Sequence, residues 1–437
     1  MRSSTTANKL ALWLSWLAGL VIVLLPFHAF LTVWAASGLG HYTALRLWKE
    51  VLLVIMLAGT VYILASDKKL RRQLLDWRLF QAIAAYALLS LVWGFGAYLL
   101  DKTTPKALGY GLTVNLRFLA FFIIVWVIAT KSQWLEKVWL KLLLLPAAVV
   151  VIIGFLQRFA LPYDVLKHFG YSENTIFPYQ TINHDIHYPR IMSTLRGANP
   201  LGAYMVLVIS AISVQFIKIK GQRRLWGLYG AAAAAVLFFS HSRGAWLGLA
   251  AGLFVLALVE LDKKQASGWF IAVSAVLLLV LAGAVYGLRN NTTFENYLLH
   301  TNDKSVAKES SNEGHISAFR SGLSQAAHEP LGRGVGTAGP ASVYNDGKSR
   351  IAENYYIQLT QEMGWLGLAV FLVICYLVAV ELWVRRGQNL ALILLVSFTG
   401  IAVVNLVSHA WTDDTLAYLW WGLAGVALAT PAVVGKK

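Results

Sequence analysis

The chain carries one cysteine in 437 residues, and that residue, Cys375, lies inside a long apolar run. An intrachain disulfide is therefore excluded, and nothing follows about redox compartment. Charge is sparse and lopsided: Asp, Glu, Lys and Arg make up 13%, with 21 acids against 37 bases and a net charge of +16. In a soluble domain such an excess would point to nucleic acid. Here the bases cluster between apolar runs, so they read as topology signals, and no nucleic-acid partner is expected. No internal repeat stands out. What the chain has in abundance is apolar surface, 58% of residues with 17 tryptophans. That composition points to an all-α, polytopic membrane protein.

Runs of about twenty apolar residues each suffice to cross a hydrocarbon core. About twelve are expected on that criterion, near 11–36, 46–65, 79–100, 107–130, 138–159, 198–217, 225–240, 244–261, 269–288, 360–383, 390–409 and 415–433. The first is too long for a signal-peptide core and is expected to stay as a membrane helix. Basic clusters follow every second run: Lys68, Lys69, Arg71 and Arg72; Lys131 and Lys137; Lys218, Lys220, Arg223 and Arg224; Lys263 and Lys264; Arg385 and Arg386; Lys436 and Lys437. The alternation places those loops and both termini in the cytoplasm. The whole chain, 1–437, is then a single membrane domain with two long external segments, a loop at 160–197 and a helical lid at 289–359. Within the lid a helix is expected over Gly314–His328, then a glycine-dense turn from Pro330 to Pro340, then a second helix from Glu353 into the tenth run.

Candidate chemistry gathers outside. Arg190 opens Arg-Ile-Met-Ser-Thr-Leu-Arg-Gly-Ala-Asn-Pro, where Ser193 and Asn199 set a hydroxyl and an amide beside the charge and a helix N-terminus follows. Arg243 sits in Ser-His-Ser-Arg-Gly-Ala, between two apolar runs with almost no loop, next to His241. Fork-shaped, permanent cations at a bilayer boundary suit a phosphate. The outer face lacks nucleotides, so a donor there must carry its own activation, as a lipid diphosphate does. His184, Asp185 and His187 are spaced too loosely for a convincing metal site. Asp413 and Asp414, adjacent acids, make a poor cage alone, and no metal or cofactor is expected.

The Arg-x-x-Ser-Thr…Asn-Pro stretch, the Ser-Arg-Gly turn, the Pro-Leu-Gly-x-Gly-x-Gly turn and the stretch from Asn354 to Gly364-Trp-Leu-Gly367 follow one another in this order. Together they resemble the bacterial O-antigen ligase and O-antigen polymerase (Wzy-C) superfamily of integral GT-C glycosyltransferases, over residues 185–370 by motif. The resemblance implies an undecaprenyl-diphosphate-linked glycan as donor, at the outer face of the inner membrane, with Arg190 and Arg243 holding the diphosphate. It also implies lipopolysaccharide biosynthesis, with a glycan or lipid A-core acceptor. The family carries a His proposed as base, then a polar residue, nine further residues and Gly-x-x-Gly. Counting back from Gly364 puts Asn354 at the polar position and Glu353 where the His belongs.

A carboxylate can do a base's work, accepting the proton as an acceptor hydroxyl attacks the anomeric carbon. Glu353 is the expected base and His315 its rival. Arg320 and Arg333 are expected auxiliary phosphate or sugar contacts. Asn354 and Tyr355 are supporting residues, with Tyr344, Tyr355 and Tyr356 as possible sugar-stacking rings. The first external loop, residues 37–43, lacks the acid that many other GT-C enzymes carry there. Arginines would then neutralise the departing diphosphate without metal, with inversion at the anomeric carbon. Ligation and repeat-unit polymerisation stay open as alternatives. A twelve-span secondary transporter is the competitor of another class, with Lys49, Glu50 and Arg117 as its buried-charge candidates.

Overall fold

The computed structural model describes residues 2–182, 185–262, 311–347 and 349–430. Eight helices are long and apolar enough to cross a hydrocarbon core: Thr6–Leu39, Tyr42–Ser66, Arg78–Leu99, Pro105–Lys131, Trp134–Phe159, Ala198–Lys218, Arg243–Leu261 and Tyr355–Val384. Three shorter apolar helices, Arg223–Phe239, Asn389–Val404 and Asp414–Ala429, occupy the seventh, eleventh and twelfth expected runs. The ninth, 269–288, lies outside the described residues, as do Lys263, Lys264 and His184. The chain is thus an α-helical membrane protein. Among the described residues the one departure is a small antiparallel hairpin, Gln180–Ile182 against Asp185–Arg190, which pairs Gln180 with Arg190.

The eleventh run ends earlier than its hydropathy suggests. Asn405 donates from Nδ2 to the Ile401 carbonyl at 2.9 Å and accepts the Trp411 N–H at 3.3 Å. These bonds close the chain into a turn after Val404, and the released residues reach the candidate site. The tenth run is broken as well. Gly364 has φ 66 inside the Tyr355–Val384 helix, and the Trp365 N–H bonds the Pro330 carbonyl at 3.1 Å. A Cβ on Gly364 would lie 2.3 Å from that same oxygen. Only glycine fits both the left-handed backbone and the close approach.

Helices meet through small residues, as expected where lipid supplies no hydrophobic drive for helix association. Gly244, Gly248 and Gly252 form a stripe at four-residue spacing. A Cβ at Gly248 would meet the Gly400 carbonyl at 2.5 Å, and one at Gly252 the Val396 carbonyl at 2.6 Å. Gly244 faces Val407 in the same way, at 2.6 Å. The stripe fixes the Arg243 end of its helix against residues 404–408. Gly248→Val should overpack this crossing and cost about 1–3 kcal/mol, visible as a lower unfolding temperature in detergent; an unchanged midpoint would show that the two helices are free to separate.

The Asp414–Ala429 helix is buried all round, from Thr415 to Leu428. A helix apolar on every face belongs at the centre of a bundle. Its start is pinned by charge: Asp414 contacts Arg117 and lies 2.8 Å from the Lys49 ammonium, while Glu50 lies 3.2 Å from Lys49 and 3.1 Å from Arg117. Two cations facing two anions make a balanced group, the condition under which charge is tolerated at such depth. Arg117 also donates to the Thr412 carbonyl at 3.0 Å. The residues flagged as transporter candidates are here tied into the turn that leads to the last helix.

Candidate active site

Three helix N-termini converge on one cavity of about 660 Å³. Asn199 stands in the first turn of Ala198–Lys218, Arg243 opens Arg243–Asp262, and Glu353 lies two residues before Tyr355–Val384. Helix N-termini carry unpaired N–H groups and partial positive charge, so they favour an anion. A cation at such an end works against the dipole, and Arg243 is therefore poorly placed for helix stability.

Arg190 ends the hairpin. Its Nε donates to the Ser240 carbonyl at 2.9 Å and its Nη2 to Asn199 Oδ1 at 2.6 Å. The Ile191 N–H bonds the Phe239 carbonyl at 3.2 Å, stitching the hairpin to the turn that presents Arg243. Burial, together with the nearby Arg243 charge, pushes the Arg190 guanidinium down to about 10. It stays protonated at neutral pH, but two desolvated cations are held close together, an arrangement that an anion would relieve.

The opposite wall comes from the Ser311–His328 helix, which brings His315, Phe319 and Arg320 to the cavity. Gly322 lets this helix press on the segment before Tyr355, since a Cβ there would meet Ala352 Cβ at 2.6 Å. His315 Nδ1 contacts Glu353 Oε2 directly. The two residues weighed as rival bases are thus a pair. The close contact with His315 holds the Glu353 carboxyl below its usual range, against the opposing effect of burial. Glu353 does not cap the following helix; Asn354 does, accepting the Ile357 N–H at 3.0 Å. Glu353 and His241 both have φ 51, a region that non-glycine residues enter mainly where the surroundings impose it.

Of the residues singled out from sequence, Arg190, Asn199, His241, Arg243, His315, Arg320 and Glu353 line this one cavity. The others lie elsewhere. The Ser193 hydroxyl is buried and donates to the Val150 carbonyl at 2.7 Å. Asn354 spends its amide on the Leu406 carbonyl at 2.8 Å. Tyr355 is fully buried against Phe371, and the Tyr356 hydroxyl donates to the Ala402 carbonyl at 3.1 Å. Tyr344 stacks under the Lys106 ammonium at 4.3 Å. Arg333 lines a separate polar cleft with Glu329 and Arg350. Asp413 lies 3.7 Å from Arg196, and Asp414 is held by Arg117 and Lys49, so both acids already face cations. Asp185 bonds His187 at 2.8 Å, and no cluster of three metal-ligating side chains occurs among the described residues.

The glycine-dense turn proves to be scaffolding. Gly332, Gly334, Gly336 and Gly339 all have positive φ. Glu362, which sequence reading passed over, accepts the Gly336 N–H at 2.9 Å and the Asn115 amide at 2.8 Å, locking the turn onto the Pro105–Lys131 helix. A buried carboxylate four residues after Gln358, inside an apolar run, was the available signal.

Residues 228–372 match the O-antigen ligase family model. The match supports placing the chain in the O-antigen ligase and polymerase superfamily, with lipid-linked glycans as substrate class and glycosyl transfer as the general chemistry. The matched stretch contains Arg243, His315, Arg320 and Glu353; Arg190 and Asn199 precede it. The comparison with curated proteins gives no match.

Proposed function

We propose that the protein transfers a glycan from an undecaprenyl-diphosphate carrier to an acceptor hydroxyl at the outer face of the bacterial inner membrane, with inversion and without a metal. The observation that carries this is the cavity itself, where Arg190, Arg243 and Arg320 share one space with the Glu353–His315 pair. Its mouth is apolar and exposed, through Leu247, Ile316, Phe319, Leu406 and Val407. That combination suits a substrate with a lipid tail and an anionic head. The guanidinium forks bind the diphosphate oxygens, and they also meet the charge that develops as the diphosphate departs.

In the dyad, His315 Nδ1 faces the Glu353 carboxylate, which leaves Nε2 as the lone pair able to accept a proton. The carboxylate orients the ring and steadies the imidazolium that forms, as in other His–carboxylate pairs. The acceptor O–H gives its proton to the dyad, its oxygen bonds the anomeric carbon, and the bond from that carbon to the diphosphate oxygen breaks. The electron pair leaves with the lipid diphosphate, so no oxidant or cofactor is needed.

The test is purified protein with an undecaprenyl-diphosphate oligosaccharide and candidate acceptors. A single addition to a lipid A core indicates ligation, and a ladder of lengthening products indicates polymerisation. Failure to consume the donor with any acceptor would overturn the proposal and return attention to transport. Because Asp413 and Asp414 already face cations, EDTA should leave the rate unchanged; inhibition reversed by Mg²⁺ or Mn²⁺ would remove metal independence.

A further inference from the structure

Glu353 borders two spaces, not one. A smaller chamber of about 230 Å³ lies against the main cavity and shares Asn199, His315, Glu353, Val407 and Ser408 with it. The two differ in chemistry. The main cavity adds three arginines and an exposed apolar mouth, whereas the chamber adds Arg196, His409, Thr412 and Asp413 among smaller apolar neighbours such as Pro200, Ala203 and Ala410. Arg196 lies 3.7 Å from the Asp413 carboxylate, with its side chain 46% exposed, so most of its donor fork remains accessible. His409 Nε2 is buried without a hydrogen-bond partner. Burial pushes that imidazole down to about 4, which keeps it neutral at working pH and able to donate or accept. A buried polar atom without a partner is costly, and a ligand hydroxyl would satisfy it.

A transfer between two substrates needs two approaches that meet at the base. The apolar-mouthed cavity fits the lipid-linked donor, and what remains is a smaller chamber that borders the same carboxylate and carries its own hydrogen-bonding side chains. Resting on the function proposed above, we infer that this chamber is the acceptor subsite: Arg196 and His409 hydrogen-bond the hydroxyls of an acceptor sugar and aim one of them at the Glu353–His315 pair. Thr412 and Asp413 supply the remaining polar wall. The Lys49–Arg117–Asp414 group fixes the turn on which they stand.

The test separates binding from chemistry. The full chain in nanodiscs is titrated with a lipopolysaccharide core oligosaccharide, free of any carrier, by saturation-transfer NMR. In parallel, acceptor and donor KM are measured with an undecaprenyl-diphosphate oligosaccharide as donor. Arg196→Ala and His409→Ala should each weaken oligosaccharide binding and raise acceptor KM by about tenfold, the scale of one or two lost hydrogen bonds, while donor KM stays unchanged. Arg196→Lys and His409→Gln, which retain donors, should recover part of the loss. Unaltered acceptor KM in both alanine variants, or an equal rise in donor KM, would overturn the assignment, as would absence of oligosaccharide binding to the unaltered protein. Binding that depends on Arg196 and His409 in a protein that consumes no donor would leave the subsite standing and fail the transfer reaction instead.

Discussion

Arg243→Lys should lower kcat/KM for the lipid-linked donor by about 10²–10³-fold, the usual loss on removing one oriented donor to a developing oxyanion. The substitution keeps the positive charge, so a site that needed only attraction would barely respond. What it removes is the planar fork, which grips two phosphate oxygens at once and which a point-like ammonium cannot copy. The position sharpens the contrast. Arg243 opens a helix beneath the Ser240–His241–Ser242 turn, at an end where a cation is disfavoured, so the loss should not come from unfolding. Thermal unfolding in detergent should be unchanged. Turnover near that of the unaltered protein would mean that the diphosphate lies elsewhere.

Glu353→Gln should reduce the transfer rate by about 10²–10⁴-fold, the range for disabling a positioned base, because the carboxylate that orients the His315 ring is gone, while donor binding persists. His315→Gln should fall by a similar factor, and the double variant should fall little further, because residues acting as a unit are not additive. Losses that multiply would show two independent groups. The pair also makes a titration prediction with a definite sign. The His315 contact depresses the Glu353 carboxyl, so its anion persists to lower pH than an isolated glutamate's. Removing that contact in His315→Ala should move the carboxylate titration, followed by infrared difference spectroscopy, to higher pH. A shift to lower pH would contradict the contact. The same depression stabilises the fold above the ordinary glutamate range and is lost as pH falls through the lowered value.

Hydropathy alone made the helices legible, because lipid forces backbone polar groups to pair within each segment. Each of the expected runs that falls within the described residues is helical there. Where the forecast slipped, single residues were responsible: the Asn405 amide ends the eleventh run early, and Gly364, free of a Cβ, breaks the tenth. The charged residues that line the main cavity, Arg190, Arg243, Arg320 and Glu353, were legible too, since a charge at a bilayer boundary has few bland explanations. Arg333 lies in a separate cleft, and the positive φ angles of its glycine neighbours serve the close fit around Glu362, which no local spacing announces. Ser193 and Asn354, expected as supporting residues, bond backbone carbonyls rather than line the cavity. Arg196 and His409 escaped notice because their meeting depends on chain closure between distant segments, which no local spacing records.

The contact between His315 and Glu353 joins two different parts of the molecule. Glu353 belongs to the glycine-clamped floor, through the Asn354 amide's bond to residue 406, while His315 rides on the Ser311–His328 helix above it. Any outward tilt of that helix would part the two residues, and with them the proton acceptor proposed above. On the function proposed above, an open protein would be an inert one, and a costly carrier lipid would enter or leave without being wasted on stray water.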